Sequence, residues 1–495
     1  MTAQQTAGRL LPAALRRALR VAGAATLVVG AAACSEDKLT LANLNTPSQQ
    51  GIDADLRQAV PLRATGVLAL ERDQIAGFVS DVGIHGRESF NYTPTELRNT
   101  LEYLGSNALA TNSFNTGGWT ARYRNMLGAK TLAELADRAD NNPLTAAERA
   151  ATKGFANTLW ALDLYYVIAS RDTLGAVVDL ITRPDSVAPF VRRDSVYRFI
   201  LNKLDAARTD LQAGGGAFPF PLTPGFNGFN TPATFAQFNR AIYARVAAHL
   251  ASFSNNSALY TSALTALGQS FLDDAPAADL RRGVYNVYST ASGDNLNGIS
   301  PVTSPDQLAH PSIGADTLAG DTRFAAKVRV LPAPRTGPPN NNSIPTNLQY
   351  TLYPSNTTPI PIIRNEELIL LRAEARFFTA NPGGALADIN YIRGRAGLAA
   401  RGAFADNAAF VTELLLQRRY SLMFEGHRWV DVRRFGRITT LPLDVPTHIR
   451  AVWQPIPQAE CDARALIIRR GLAAGNATAN QPFTGLAAPS CAAVN

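Results

Sequence analysis

The chain has 495 residues and a formal net charge of +8, and 46% of its residues are hydrophobic. This composition is globular, and the length suffices for one large core or for several domains of roughly 150 residues each. Four arginines that no acidic residue offsets precede position 34, so residues 34–495 carry only +4; they are Arg9, Arg16, Arg17 and Arg20. So small a positive excess gives no case for nucleic-acid binding.

The amino-terminal segment has the layout of a secretory signal. An uncharged stretch follows the arginines, from Val21 to Ala33, and ends at Cys34. A positive region, a short apolar region and small residues before a cut are typical of signal peptides. A membrane-spanning helix needs about 20 apolar residues, so this stretch is too short to be one. We predict that residues 1–33 are removed.

The residues just before the cut resemble a bacterial lipobox, in which Cys34 becomes the acylated first residue. Gly30 and three alanines precede the cysteine, with Ala31 at the position usually held by a leucine-type residue. Two or more acyl chains anchor a protein stably to a membrane. The acidic pair Glu36 and Asp37 is similar to the surface-export signals of some lipoproteins, so we expect an outward-facing protein. The alternative is an ordinary secreted protein with Cys34 as a free thiol.

The two remaining cysteines both lie in the tail, residues 461–495. An exported protein enters a compartment that permits disulfides. We therefore predict a bond between Cys461 and Cys491.

Helical periodicity marks an amino-terminal block, about residues 119–275. The first helix begins at Trp119, and Thr145 with Glu148 forms a capping box for the second. Further helices are predicted over about 194–211 and 235–253.

A second helical block covers about residues 363–435. Asn365 is predicted to cap a helix that ends near Ala380. Pro382 suits the first turn of the next helix, and Gly397 lies past its end. A further helix is predicted over about 407–424.

Helix pairs with short turns predict a mainly α fold of tetratricopeptide-like hairpins, in which each pair must stack on its neighbours. The insert at about 276–362 is rich in loops. Two segments are predicted to be long loops: 213–232, with five glycines and four phenylalanines, and 331–361, with eight prolines.

Three carboxyl-terminal stretches together resemble the SusD/RagB family. They are Arg364–Ala375, Ala385–Gly397 and Gln417–Asp431, and the motif Trp453–Gln458 is similar to the family's closing motif. The resemblance covers about residues 40–460 and depends on the order and spacing of the motifs. The tail 461–495 does not match the family's usual ending.

The resemblance implies a lipid-anchored, non-enzymatic helical scaffold that binds oligosaccharides or other oligomers. It further implies a TonB-dependent, SusC-like transporter as partner. Where the family often has two glutamates around an Arg-Arg pair, this chain has Gln417 and Ser421. We therefore expect a thinner salt-bridge network around Arg418 and Arg419.

One cluster suggests an alternative function. Glu425, His427 and Asp431 lie close together in the sequence and could perform general acid/base chemistry as a surface hydrolase. The other interpretation is that Glu425, Arg428 and Asp431 are paired charges that fasten the last helix. No zinc-site, nucleophile-elbow or phosphate-loop motif is present, so we predict no catalytic residues, no cofactor and no metal.

Ligand contact is assigned by elimination. All four tryptophans lie in scaffold-like segments, whereas the segment 85–92 combines hydrogen-bonding groups with aromatic rings. We predict that ligand contacts are made by His85, Arg87, Phe90 and Tyr92. Tyr285 and Tyr288 are alternatives. The phenylalanines of 213–232 are instead predicted to fasten their loop.

The sequence thus predicts an outer-membrane nutrient-binding lipoprotein with oligosaccharide as its ligand and peptide as the main alternative ligand. The other functions left open are a surface hydrolase and a tetratricopeptide-type scaffold for a protein partner.

Overall fold

Helices account for most of the residues that the computed structural model describes, which are 55–93, 96–105, 118–139, 142–180, 188–337 and 344–464. Apart from Asp55, these residues belong to the unit Leu56–Asn495. The helices are α1 (Leu56–Glu71), α2 (Ile75–His85), α3 (Arg98–Leu101), α4 (Trp119–Ala136), α5 (Ala146–Arg171), α6 (Arg193–Gln212), α7 (Pro232–Ser254), α8 (Ser257–Gly268), α9 (Ser312–Ala315), α10 (Thr322–Lys327), α11 (Asn365–Phe378), α12 (Pro382–Arg395), α13 (Asn407–Ser421) and α14 (Arg428–Arg434). Short 3-10 turns cover Asp172–Leu174, Pro224–Phe226 and Ile438–Thr440.

Consecutive helices of the amino-terminal block pack on one another. Helix α4 contacts α5, α5 contacts α6, α6 contacts α7, and α7 contacts α8. Helix α8 then contacts α11, which joins this block to the carboxyl-terminal one. The mainly α architecture that the sequence predicts is therefore confirmed.

Helix α5 is the central element of the first block. The predicted capping box is present, because Thr145 Oγ1 accepts from the Glu148 backbone N–H at 3.2 Å and Glu148 Oε2 accepts from the Thr145 N–H at 2.8 Å. Every residue of α5 from Thr158 to Arg171 is buried. A helix that is buried on all sides lies inside the core rather than on its surface.

The carboxyl-terminal block follows the predicted order with two corrections. Asn365 is not the helix cap: it is the first residue of α11, fully buried, and its side chain binds the Asp273 backbone N–H and carbonyl at 2.9 and 2.7 Å. The Asn365 side chain thus supplies partners for both backbone groups of Asp273. Helix α13 ends at Ser421 instead of Phe424, whose φ of 55° is incompatible with a helix.

The start of α12 agrees with the prediction. Pro382 is its first residue, Asn381 Oδ1 accepts from the Gly384 N–H at 2.9 Å, and Gly397 follows the helix with a φ of 79°. Glycine adopts this left-handed conformation without steric cost.

In the described part of the chain, four antiparallel two-stranded ladders accompany the helices. The strands are β1 (Ser89–Asn91), β2 (Ala176–Val177), β3 (Phe190–Val191), β4 (Gly283–Asn286), β5 (Gln307–Ala309), β6 (Val328–Arg335), β7 (Thr346–Tyr350) and β8 (Ile360–Arg364). They pair as β1 with β5, β2 with β3, β4 with β8, and β6 with β7. The prediction of an unstructured loop over 331–361 is therefore wrong in part, because β6 and β7 form a ladder there.

The long loop 213–232 is fastened to the helices by its phenylalanines, as predicted. Phe220, Phe226 and Phe229 are buried, and Phe226 stacks on Phe235 of α7 with ring centroids 5.7 Å apart. At Gly225, a Cβ atom would lie only 1.9 Å from the Tyr285 carbonyl oxygen. The backbone of this loop thus touches β4 directly.

Within the described residues, no helix combines the length and the apolar character that crossing a membrane requires.

Candidate functional sites

The segment 85–92 lies in the core of the structure. The exposed fractions of His85, Arg87, Phe90 and Tyr92 are 0%, 1%, 0% and 3%. The His85 ring stacks on Trp429 at 4.6 Å, and the Phe90 ring meets His310 edge-on at 4.9 Å. Trp429 and His310 therefore contact the rings of His85 and Phe90, which the sequence analysis assigned to ligand contact.

A second segment, 441–450, packs against this one. Arg87 donates hydrogen bonds to the carbonyls of Ile449 at 2.7 Å and Pro442 at 3.2 Å. The Ile449 N–H donates to Leu104 O at 2.6 Å. Contact between a ligand and residues 85–92 would require segment 441–450 to move.

The alternative aromatic residues differ in exposure. Tyr285 is partly exposed, and its hydroxyl donates to the Arg281 carbonyl. Tyr288 is buried, and within the described residues its hydroxyl has no hydrogen-bond partner. Tyr285 is therefore the more exposed of the two.

The tryptophans depart from the prediction at one position. Trp119, Trp160 and Trp429 are buried, as expected of scaffold residues. Trp453 is partly exposed and follows Val452, which is 44% exposed. Nothing in the sequence motif distinguishes Trp453 from its buried counterparts, because exposure depends on what packs against it.

The cluster proposed for acid/base chemistry is a set of ion pairs. Glu425 accepts hydrogen bonds from Arg364 at 2.8 to 3.2 Å. Asp431 lies between two arginines: its Oδ2 is 2.7 Å from Arg418 Nε, and its Oδ1 is 2.9 Å from Arg434 Nε. Each carboxylate is thus paired with at least one guanidinium. Arg428 does not form the pairs that the sequence suggested.

His427 completes this buried network without joining the two carboxylates. Its Nε2 atom lies 3.8 Å from Glu367 Oε2, and burial lowers the pKa of His427 to about 4. Glu367 itself is bound by Arg245 through two hydrogen bonds of 2.6 Å each. Burial alone would raise the pKa of Glu367, but Arg245 lowers it to about 2.

A small cavity adjoins this network. It is lined by Ile75, Phe78, Val79, Tyr165, Tyr166, Arg245, Pro361, Ile362, Glu425, Gly426 and His427. Its free space of about 10 Å³ holds roughly one water molecule. A sugar ring does not fit there.

The predicted thinner network is seen around Arg418, whereas Arg419 forms an ion pair with Asp316 at 2.5 Å. Within the described residues, neither Nη atom of Arg418 has a hydrogen-bond partner, and Gln417 Oε1 has none either. Gln417 instead donates to Glu413 at 2.8 Å, and Ser421 Oγ accepts from Arg323 at 2.9 Å.

The closing motif binds the amino-terminal helices through Gln454. Its Nε2 donates to Asp81 at 2.9 Å, and its Oε1 accepts from Arg171 at 3.0 Å. The Tyr103 hydroxyl donates to the other oxygen of Asp81. Asp81 is buried, and burial raises its pKa to about 6.

Of the three cysteines, Cys461 lies among the described residues. Cys461 is disulfide-bonded. Cys34 and Cys491 lie outside the described residues, so both the lipid anchor and the pairing of Cys461 with Cys491 stay predictions. Among the described residues, no group of three or more His, Cys, Asp or Glu side chains is placed to hold a metal ion.

Comparisons with known proteins show a similarity to one family in the carboxyl-terminal part of the chain. Residues 331–463 match the sequence profile of the SusD family. No curated protein matches significantly.

Solved structures share the fold at low sequence identity. Surface glycan-binding protein A from Bacteroides uniformis is 18% identical, with a TM-score of 0.59, and the match covers 81% of this chain and 97% of that one. The protein of the same name from Bacteroides thetaiotaomicron, in complex with laminarihexaose, is 15% identical, with a TM-score of 0.59 and coverage of 82% and 97%. A SusD superfamily protein from Parabacteroides distasonis gives 14% identity, a TM-score of 0.62 and coverage of 82% and 97%. The match over residues 331–463 and the shared fold show that this chain is similar to SusD-family proteins.

Proposed function

We propose that this protein is a surface-exposed outer-membrane lipoprotein that binds an oligosaccharide and delivers it to a SusC-like, TonB-dependent transporter. The observation that carries the proposal is a SusD-like fold that spans 97% of two surface glycan-binding proteins. One of these relatives was solved with laminarihexaose, a glucose oligomer. Peptide is the alternative ligand.

The buried network argues against the hydrolase alternative. Glu425 and Asp431 are held by different arginines, and the cavity beside Glu425 and His427 has room for roughly one water molecule. A general acid must reach the substrate within hydrogen-bond distance. The geometry therefore favours a structural role for these three residues.

Ligand binding is tested with the purified protein against a set of oligosaccharides and peptides by calorimetry. Saturable binding of an oligosaccharide, without release of shorter products, supports the proposal. Binding of peptides alone would replace glycan as the ligand, and product release would favour the hydrolase.

The transporter partner is tested by gentle detergent extraction. A TonB-dependent barrel should be recovered together with this protein. Repeated recovery of the protein alone, from cells shown to express the barrel, would contradict delivery to a transporter. Recovery with a different, soluble protein would favour a scaffold for protein partners.

The anchor and the disulfide have separate tests. Cells given a labelled fatty acid should label the protein, and Cys34→Ala should abolish the label. Mass spectrometry of unreduced peptides should show Cys461 joined to Cys491.

A further inference from the structure

The dipeptide Asn-Gly occurs twice in the chain, and its surroundings differ between the two places. Asn227 and Gly228 are both exposed and lie in the loop 213–232. Asn297, which precedes Gly298, is fully buried. Glycine has no side chain to hinder its own backbone nitrogen, so this nitrogen can approach the side-chain amide of the preceding asparagine. The two places therefore offer the same chemistry in two environments.

Asn227 and Gly228 are the central residues of a tight turn. The backbone angles, φ −57° and ψ 128° at Asn227 and φ 81° at Gly228, are those of a type II turn. The Phe229 N–H donates to the Phe226 carbonyl across this turn at 2.7 Å. Within the part of the chain that the structure describes, neither the Asn227 side chain nor the Gly228 N–H makes a hydrogen bond.

The reacting groups of this turn are also unobstructed. No atom lies within 4 Å of the position that a Cβ atom would take at Gly228. To bring the Gly228 nitrogen to Cγ of Asn227, the Asn227 Cα–C bond must rotate, and this rotation breaks the hydrogen bond between Phe229 and Phe226. Because the turn lies at the surface, water replaces that bond at a small net cost.

Asn297 is held in place by three hydrogen bonds. Its Nδ2 donates to the Thr358 carbonyl at 2.7 Å, and its Oδ1 accepts from the Ile299 N–H at 3.0 Å. Its backbone N–H donates to the Asn356 carbonyl at 2.7 Å. Release of this amide would leave buried polar groups without partners, which costs more than opening an exposed turn.

We propose that Asn227 is a site of spontaneous modification, at which the side-chain amide is converted to aspartate and isoaspartate. The Gly228 nitrogen attacks Cγ of Asn227 and forms an N–C bond. The Gly228 N–H proton leaves with the side-chain –NH2 as ammonia, which yields a cyclic imide. Water then adds to the imide and breaks either N–C bond: cleavage at Cγ gives aspartate, and cleavage at the main-chain carbonyl gives isoaspartate. No oxidation or reduction is involved.

The isoaspartate product should loosen the loop 213–232. It passes the chain through the side-chain carbon and so adds one atom to the backbone between two buried rings. Phe226 stacks on Phe235 with centroids 5.7 Å apart, and Phe229 meets Phe271 edge-on at 4.8 Å. The longer connection cannot keep both rings in place with the present turn, because close-packed rings tolerate little displacement.

The site is tested by incubating the purified full chain in mildly alkaline buffer at physiological temperature. Peptide mass spectrometry over time follows the replacement of –NH2 by –OH at each asparagine. Asn227 should be converted at least about tenfold faster than Asn297, because the opening of a buried, hydrogen-bonded amide has the larger free-energy cost. Equal rates in the folded protein, or no conversion of Asn227, would overturn the proposal.

A parallel incubation in urea separates the fold from the dipeptide. In the unfolded chain, Asn227 and Asn297 should be converted at similar rates, since both precede glycine. If Asn297 remains unreactive there, its slow reaction in the folded protein is not caused by burial, and the role assigned to the two environments is wrong.

Two variants test the consequence for the loop. Asn227 is exposed, so Asn227→Gln and Asn227→Asp should both melt near the parent protein before incubation. After incubation the parent should melt at a lower temperature, in proportion to its isoaspartate content measured by electron-transfer fragmentation. Asn227→Gln should keep its melting temperature, because its longer side chain closes the ring far more slowly. An unchanged melting temperature in a parent sample rich in isoaspartate would contradict the loosening of the loop.

Discussion

Gln454 Nε2 donates a hydrogen bond to Asp81 Oδ2 across 2.9 Å, although 373 residues separate the two in the chain. The same side chain accepts from Arg171 at the end of α5. The amide of Gln454 therefore connects the closing motif to two amino-terminal helices. This connection explains why the motif has a polar residue at position 454, which is only 1% exposed.

Replacement of Gln454 tests this connection. Gln454→Leu leaves Asp81 and Arg171 buried with fewer partners, so the free energy of unfolding should fall by about 1–3 kcal/mol. Gln458→Ala, in the same motif but at a partly exposed position, should change it by less than Gln454→Leu does. Urea denaturation measures both, and equal effects would contradict a specific role for Gln454.

The Arg245–Glu367 pair should be costly to break. Both side chains are at most 2% exposed, so Arg245→Met leaves a buried carboxylate without its main partner and should cost about 3–5 kcal/mol. The double variant Arg245→Met, Glu367→Leu should lose less than the sum of the single variants. Arg57→Met removes the more exposed pair with Glu148 and should cost at most about 1 kcal/mol.

Stability should depend on pH through Glu71. Glu71 lies 4.0 Å from Arg122, but Arg122 is closer to Asp163, at 2.8 Å. Burial raises the pKa of Glu71 to about 8. Between pH 4.5 and 8 the folded protein therefore binds more protons than the unfolded chain. The stability that protonated Glu71 contributes is present at low pH and is lost as the pH rises towards 8.

The variant Glu71→Gln has no titrating group at this position, so the difference in stability between it and the parent protein measures the effect of Glu71. From pH 5 to 8 the parent protein should lose up to about 1.4 kcal/mol per pH unit relative to the variant. Chemical denaturation at several pH values in that range follows the difference. Parallel stability curves would show that Glu71 keeps an ordinary pKa.

Gly225 should tolerate no side chain. A Cβ atom would meet the Tyr285 carbonyl at 1.9 Å, so Gly225→Ala must push the loop 213–232 away from β4. We expect a loss of about 1–3 kcal/mol, as overpacking usually produces. Gly216→Ala is the matched control in the same loop, since nothing lies within 4 Å of its Cβ position. Similar melting temperatures for the two variants would contradict the contact.

The double variant Phe90→Ala, Tyr92→Ala separates core packing from ligand contact. Both rings are at most 3% exposed, and truncating one buried phenylalanine typically costs about 3–5 kcal/mol. We therefore expect a large drop in melting temperature. Weakened oligosaccharide binding with a near-normal melting temperature would instead favour direct contact and movement of segment 441–450.

The sequence by itself determined the local features. The capping box at Thr145 and Glu148, the start of α12 at Pro382 and the glycine after it depend on neighbouring residues, and all three are present in the structure. The phenylalanines of 213–232 have almost no charged side chains around them, so burial against the helices was also predictable. The motifs from Arg364 to Gln458 indicated the family because their order and spacing reflect one fold.

The tertiary structure alone decided what each polar or aromatic side chain faces. Asn365 looks like a helix cap but binds a loop that is 92 residues away in sequence. Phe90 and Tyr92 look like a ligand platform but are enclosed by residues from distant segments. A buried guanidinium or carboxylate pairs with residues that are close in space but distant in sequence, as Arg245 and Glu367 do. Burial and electrostatic pairing depend on distances in space, and residue spacing along the chain fixes those distances only within a single helix, strand or turn.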